Sequence, residues 1–490
     1  MLVHQLINQA KDEQVAFYGK KQITYAEVRR QVSRYRNFFY QQGVRLGDNV
    51  GLLARNSVEY VYSYMAIASL GAVVVPLNFQ LVPREIAYII KDAGIRVLVS
   101  MAQLDLETEL KAQGYEHNVN QLVIPEFSAL VDAMELKPAP LLENFGPDKA
   151  CVIIYTSGTT GNPKGAVLTH NNLVSNAAGV SEVMAVTAED RVLCVLPMYH
   201  CFAWTCAILS PLLSGASILI LEGFNPKETI STIREAGITA IYAVPPMYHL
   251  FCAAGQAEDF AKTRFFLSGG ASLPEAVSRK FQAKFGRPVI EGYGLSEASP
   301  VVCMNRFDKF KYLSIGKAIP GVTAKIVDEE GREMPNGEIG ELVVKGPNVM
   351  LGYFNLPEES ARALRDGWLH TGDMAYRDDE GFYFIVDRLK DMIITSGENV
   401  YPREIEELLY AHPDISEAAV VGVPDKLRGQ SGCAYIVMAE GRTFDKKALR
   451  EYLQAKLAGY KIPRDFVQIS ALPKNSTGKI LKRALREHAS

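Results

Sequence analysis

The sequence predicts an α/β fold: a large N-terminal domain of mainly parallel, covered sheets ending in a β-rich subdomain, then a small α+β C-terminal domain. Three observations predict it. Short β-branched runs alternate with helically spaced segments through the first two-thirds of the chain, the pattern of βαβ units whose sheets are covered on both faces. From Ser314 the texture becomes strand-rich and punctuated by glycine, and after Arg388 a mixed α/β pattern resumes for about a hundred residues, enough for a compact domain.

The alternating runs are RVLVS, CVIIYTS, RVLCVLP, SILIL, TAIYAVP and RFFLSGG, each followed by helical spacing. The segment from Tyr60 to Pro83 carries no charge, which by length alone is compatible with a membrane span. Ser63, Ser69, Gly71, Pro76, Asn78 and Gln80 interrupt it, so it reads as a helix (EYVYSYMAIASLG) and a buried strand (AVVVPL). In the β-rich part, DEEG and PNGE read as hairpin turns. In the last part a helix is expected from about Pro402 to Ala411, strands at EAAVVGVP and GCAYIVMA, and a helix from about Lys446 to Leu457. The domains are therefore placed at 1–387, with the β-rich subdomain at about 314–387, and at 391–490.

Bulk properties exclude several functions. A chain of 490 residues with 48% hydrophobic and 22% charged residues is an ordinary globular composition of roughly two to four domains. Lys and Arg number 52 against 55 Asp and Glu, a net charge of -3, so neither a nucleic-acid footprint nor a polybasic membrane surface is predicted. The seven cysteines include no CxxC pair and read as reduced, packed thiols. With no basic start and apolar run at the N-terminus, a cytoplasmic protein without a transmembrane segment is expected, and nothing argues against a homo-oligomer.

The chemistry is concentrated in a few motifs. In IYTSGTTGNPKG a strand runs into a loop of glycines, hydroxyls and one lysine, the composition of a phosphate cradle. Gly158 and Gly161 allow close backbone approach, Thr156, Ser157, Thr159 and Thr160 offer hydroxyls, and Lys164 adds a cation. Gly165 follows Lys164 where a Walker A loop needs the Ser or Thr that holds magnesium, so a P-loop ATPase or kinase is disfavoured.

This loop resembles the signature of the acyl-adenylate-forming superfamily, which includes acyl-CoA synthetases, beetle luciferases and peptide-synthetase adenylation domains. The resemblance recurs in order along nearly the whole chain. EGYGLSEASP is similar to the family's Tyr-Gly-x-Thr-Glu motif and places Gly292, Tyr293 and Gly294 beside adenine, the Ser296 hydroxyl at the α-phosphate and Glu297 at Mg2+; serine for the usual threonine keeps the hydroxyl. LSGGASLP is similar to the ribbon along the adenine face through Gly269, Gly270 and Ala271. WLHTGDMAY puts Asp373 where a carboxylate accepts both ribose hydroxyls, and DRLKDMIITSGENVYPREIE supplies Arg388 as a second ribose and phosphate contact. Lys390 matches the inter-domain hinge, 388–390, where many relatives carry Asp and others Lys. PKNSTGKIL puts Lys479 on a loop like that of the family's catalytic lysine.

The resemblance implies a two-step ligase using ATP, Mg2+ and coenzyme A. Lys479, Lys164, Ser296 and Glu297 are its expected catalytic groups, with Thr156 and Glu297 at the metal. The C-terminal domain is expected to rotate about Lys390, exchanging Lys479 for a face around Gly397, Glu398 and Asn399 where CoA enters. LPMYHCFAW resembles the segment of fatty acyl-CoA synthetases whose Trp gates an acyl tunnel, which assigns His200, Phe202 and Trp204 to the acid. No aspartate follows to pair an amino-acid ammonium, so a medium- or long-chain fatty acid is expected ahead of a cinnamate- or benzoate-like acid. A His200–Cys201 nucleophile pair is rejected, because neighbours on a strand point to opposite faces. Three alternatives stay open: an acyl carrier protein as acceptor, oxidation of the adenylate, and a silent nucleotide- or acyl-binding protein.

Overall fold

The computed structural model describes residues 1–19, 21–156, 163–425, 427–475 and 479–488, and within them four sheets. The first runs in the order Lys317–Ala318, Val301–Met304, Val289–Gly294, Phe265–Ser268, Ala240–Ala243, Arg191–Cys194, Ser217–Ile220, Val15–Tyr18 and Ile23–Thr24. From Val289–Gly294 to Val15–Tyr18 every pairing is parallel. The second sheet runs Gly352–Tyr353, Lys164–Thr169, Ala150–Thr156, Val73–Pro76, Asn49–Leu53, Val97–Ser100 and Asn120–Val123, parallel from Ala150–Thr156 onward. This is the covered, mainly parallel α/β architecture expected from the alternating runs.

One core joins the two sheets. It contains Val50, Leu52, Val74 and Val152 from the second and Phe17, Val192, Ile218 and Ile241 from the first, with helices Tyr25–Gln41, Val58–Ser69 and His170–Met184 contributing apolar faces. The uncharged segment resolves as read: Val58–Ser69 is a helix started by the Ser57 hydroxyl, which accepts from the Tyr60 N–H, and Val73–Pro76 is a buried strand. Tyr60 through Ser69 are all buried, so the absence of charge reflects a helix enclosed by protein. No helix among the described residues is long and apolar enough to cross a membrane. The seven cysteines are free and buried.

The third sheet is antiparallel: Thr323–Val327, Gly340–Lys345, Trp368–Arg377 and Leu364–Arg365 in order, with Tyr383–Arg388 pairing along the same edge of Trp368–Arg377 as Leu364–Arg365. DEEG closes a small hairpin, with Val327 bridged antiparallel to Glu333, and PNGE is a turn later in the same connection from Thr323–Val327 to Gly340–Lys345. The fourth sheet places Gly429–Met438 between Ile393–Thr395 and Ile415–Asp425, with Asp465–Gln468 parallel beside it. Helices Pro402–Tyr410 and Lys446–Gln454 cover it over a core of Ile405, Leu409, Val420, Ile436, Leu449 and Phe466. Helix Pro402–Tyr410 also meets the preceding elements: Glu275 N–H donates to Glu407 Oε2 at 3.4 Å, and Arg403 N–H donates to Asp387 Oδ2 at 2.9 Å.

Candidate active site

In open parallel sheets, ligands sit beyond the carboxyl ends of the strands, where the chain must leave the sheet. Phe265–Ser268 ends there in Gly269, Gly270 and Ala271, and its neighbour Val289–Gly294 ends in Gly292, Tyr293 and Gly294. One glycine is sterically required and a second is tightly packed. A Cβ on Gly294 would lie 2.1 Å from the Pro300 carbonyl oxygen, a collision with backbone, and one on Gly269 would lie 3.0 Å from the Phe202 ring. The tip of the Phe202 ring thus abuts Gly269, so the segment expected at the acid and the ribbon expected at the nucleotide are direct neighbours. Beyond Gly294, Ser296 Oγ lies 3.5 Å from Cys201 Sγ.

The third sheet brings a carboxylate to this edge. Asp373 and Arg388 face each other across adjacent strands, with Arg388 Nε 3.4 Å from Asp373 Oδ1, while the Tyr293 hydroxyl donates to Asp373 Oδ2. The carboxylate is buried yet has both oxygens paired, and Thr371 Oγ1 accepts from the Asp373 N–H at 3.1 Å. Loss of water and the adjacent carboxylate raise the Tyr293 hydroxyl well above the ordinary phenol value, so it donates throughout the physiological range.

Lys479 approaches the same place from the C-terminal part. Its N–H donates to Asn475 Oδ1 at 2.9 Å, and its carbonyl accepts from the Asn475 N–H at 2.9 Å. Burial, then the charge of Arg388, lowers its ammonium to about 8, against an opposing pull from Asp373. His200 also senses Lys479: burial first, then that lysine, lowers the imidazole to about 4, so it is neutral at physiological pH. Lys479, Arg388, Asp373, Tyr293 and His200 therefore form one neighbourhood assembled from five separated stretches of chain.

Lys164 begins the strand after the glycine-rich loop and is ion-paired to Glu359 at 2.5 Å. Tyr353 hydroxyl donates to Glu297 Oε1 at 2.8 Å, and Met350 N–H holds the Glu297 carbonyl at 2.9 Å. Thr156 Oγ1 makes only a 3.5 Å approach to the Lys164 carbonyl. Ser157, Gly158, Thr159, Thr160 and Gly161 lie outside the described residues. Glu297 and Thr156 offer one carboxylate and one hydroxyl, and no cluster of three metal-ligating side chains exists among the described residues. That sparse donor set fits Mg2+, which keeps several waters and shares its coordination with substrate phosphates.

At the acid segment the structure corrects one expectation. His200 and Cys201 do not lie on a strand: His200 caps the short helix Cys201–Ala203, its Nδ1 accepting from the Phe202 N–H at 3.2 Å. The nucleophile pair still fails, for a different reason: the His200 nitrogen is used in capping, and burial raises the Cys201 thiol to about 11. Trp204 opens a π-helical turn, Trp204–Leu209, the wide geometry that recurs at functional sites. Its ring packs 4.1 Å from that of Tyr64 and 5.6 Å from that of Tyr60. Beside it, a cavity lined by Tyr64, Pro76, Val152, Met198, Cys201 and Trp204 has free space for about one water molecule.

Lys390 follows strand Tyr383–Arg388 at an exposed position; Gly397 stands exposed on the turn after Ile393–Thr395, and Glu398 and Asn399 stand exposed on the strand Glu398–Val400 that pairs with it. Sequence reasoning missed Tyr353 and Glu359. Their stretch, GYFNLPEES, carries no chemical signature by itself; they matter only because Gly352–Tyr353 pairs with the strand that begins at Lys164.

Comparison with known proteins accords with this arrangement. The family model for AMP-binding enzyme matches residues 4–354, and that for the AMP-binding enzyme C-terminal domain matches 404–479. The chain is 37% identical to a feruloyl-CoA synthase of Amycolatopsis sp, over 96% of this chain and 94% of that protein. It is 35% identical to a long-chain-fatty-acid–CoA ligase of Bacillus subtilis (strain 168), over 96% and 91%. The crystal structure of ATP-bound MatB from Rhodopseudomonas palustris superposes with a TM-score of 0.93 at 32% identity, covering 100% of this chain and 99% of that one. The chain belongs to the AMP-binding enzyme family, as an ATP-dependent acyl-CoA ligase that uses ATP, Mg2+ and coenzyme A.

Proposed function

We propose that the chain activates a medium- or long-chain fatty acid as its acyl-AMP and then transfers the acyl group to CoA. The observation that carries the choice of acid is the lining of the cavity beside Trp204. Tyr64, Pro76, Val152, Ile154, Leu173, Met198 and Trp204 face it without one charged side chain, so a tail ending in a second carboxylate or an ammonium would be desolvated without a partner. An uncharged tail meets no such penalty there, and because the free space is that of about one water molecule, the Trp204 ring must move to admit it.

In the first step a carboxylate oxygen attacks the α-phosphorus of ATP and the bond to pyrophosphate breaks. Both reactants are anionic, so the cations around them carry the catalysis. Lys479 neutralises charge at the carboxylate and α-phosphate, Lys164 receives the departing pyrophosphate, and the Ser296 hydroxyl donates to the α-phosphate. Mg2+ held at Glu297 and Thr156 would add positive charge at the phosphates. Tyr293 and the Gly269–Ala271 ribbon bracket adenine, while Asp373 and Arg388 take the ribose, exchanging the Tyr293 hydroxyl and the mutual ion pair for ribose hydroxyls. In the second step the CoA thiolate attacks the acyl carbonyl and AMP leaves. Lys479 stands in the way of that approach, so domain 391–490 turns about Lys390 and presents Gly397, Glu398 and Asn399 instead.

A second reading, an aryl acid of the hydroxycinnamate type, is favoured by the ring-lined, nearly filled cavity and by the likeness to a feruloyl-CoA synthase. CoA-dependent AMP formation with acetate, octanoate, palmitate, benzoate and 4-coumarate separates the two. Octanoate or palmitate as the acid with the highest kcat/KM supports the proposal; 4-coumarate or benzoate replaces it with the second reading; no turnover with any of them removes both.

A further inference from the structure

We propose that Glu359 is a positioning residue for Lys164 that sets how tightly the enzyme holds pyrophosphate; this rests on the ligase reading above. The two residues are far apart in sequence, and main-chain bonding imposes their meeting. Gly352–Tyr353 pairs antiparallel with Lys164–Thr169, the Phe354 N–H donates to the Gly165 carbonyl at 2.7 Å and the Leu351 N–H to the Val167 carbonyl at 2.9 Å. Ser360 Oγ then accepts from the Tyr353 N–H at 2.8 Å and donates to the Leu356 carbonyl at 2.7 Å, fixing the turn that starts helix Pro357–Ala363 and aims Glu359 back at Lys164. The same segment sends the Tyr353 hydroxyl to Glu297. One strap thus holds the lysine of the phosphate loop and the carboxylate assigned to the metal.

The pairing is built for exchange. Lys164 and Glu359 are each partly exposed, with side-chain accessibilities of 25% and 32%, so the pair is open to an entering anion. The Lys164 hydrogen bond lowers the Glu359 carboxyl below its ordinary value, which keeps it ionised at neutral pH. Its other oxygen, Oε1, already accepts from Arg362 Nη1 at 3.2 Å, so Glu359 keeps a cationic partner when Lys164 leaves it for a phosphate. Without nucleotide, Glu359 parks the ammonium; with pyrophosphate formed, it competes for the same ammonium and helps the product depart.

The test is calorimetric binding of inorganic pyrophosphate with Mg2+ to the full chain, together with pyrophosphate inhibition of AMP formation. Removing one competing, half-exposed charge is worth a modest factor, so Glu359→Gln is expected to bind pyrophosphate about five-fold tighter and be inhibited at correspondingly lower concentration. Glu359→Asp, which restores the charge, should move affinity back toward wild type. In a Lys164→Ala background Glu359→Gln should change nothing, because the lysine it competes for is gone. Equal pyrophosphate affinity in wild type and Glu359→Gln overturns the proposal, as does an identical gain in the Lys164→Ala background. A wild-type chain that binds neither MgATP nor pyrophosphate removes the ligase reading and this proposal with it.

Discussion

Raising the pH through about 8 should switch off adenylation by discharging Lys479. Its ammonium titrates at about 8 against an ordinary 10.5, because it is withdrawn from water beside Arg388 with only partial relief from Asp373. That gap of about 2.5 units corresponds to roughly 3 kcal/mol. The sign follows from the depressed cation: below pH 8 the protonated lysine bears the whole penalty in this arrangement, and the penalty shrinks as pH rises toward 10.5. The incoming carboxylate and phosphates offset it by supplying negative charge, which is how substrate binding stabilises a site that is strained electrostatically when empty. ATP–pyrophosphate exchange measured across the pH range reports the free enzyme through kcat/KM. The expected profile is level at low pH, at half value near pH 8, and falls about ten-fold for each further unit. Lys479→Arg, whose guanidinium stays charged, should show low activity without that fall. A wild-type profile level to pH 10, in an enzyme that Lys479→Ala inactivates, would refute the reasoning.

Other substitutions probe other links. Gly294→Ala forces a Cβ to within 2.1 Å of the Pro300 carbonyl oxygen, so Tyr293 and Ser296 must shift; a KM for ATP raised about ten-fold or more is expected, with a smaller effect on stability, and an unchanged KM would count against the tight approach. Trp204→Ala removes the ring packed against Tyr64 and should raise kcat/KM for palmitate relative to octanoate; an unaltered ratio would mean the ring does not limit the tail. Phe281→Ala empties a fully buried position ringed by Tyr248, Phe260, Phe266 and Phe285, at a cost of about 3–5 kcal/mol read from chemical denaturation, without changing kcat in the protein that remains folded.

Much of this was legible in one dimension because its causes are local. Alternating β-branched runs and helical spacing become parallel strands and their covering helices, since both periodicities follow from which residues a strand or helix can bury. The helix expected from about Pro402 to Ala411 is Pro402–Tyr410, started by proline at its first turn. Gly294 was conspicuous because a backbone approach that excludes a Cβ leaves glycine as its trace. The strand expected at His200 and Cys201 failed because the strand that begins at Arg191 ends at Cys194, although the apolar run continues to Met198, and the residues beyond turn into a helix that His200 caps.

The amino-acid sequence alone determined the α/β class, the family and the residue types brought to the phosphates, because each is written in a short contiguous pattern. Tertiary structure decided which charges meet. Lys164 with Glu359, Tyr353 with Glu297, Tyr293 with Asp373, and Lys479 beside Arg388 all join segments far apart in the chain, and no local periodicity records such a pairing. The depressed ammonium of Lys479 is the clearest case: a lysine near the end of a chain is ordinarily a solvated cation, and only a fold that withdraws it from water and sets it beside another cation lowers its proton affinity.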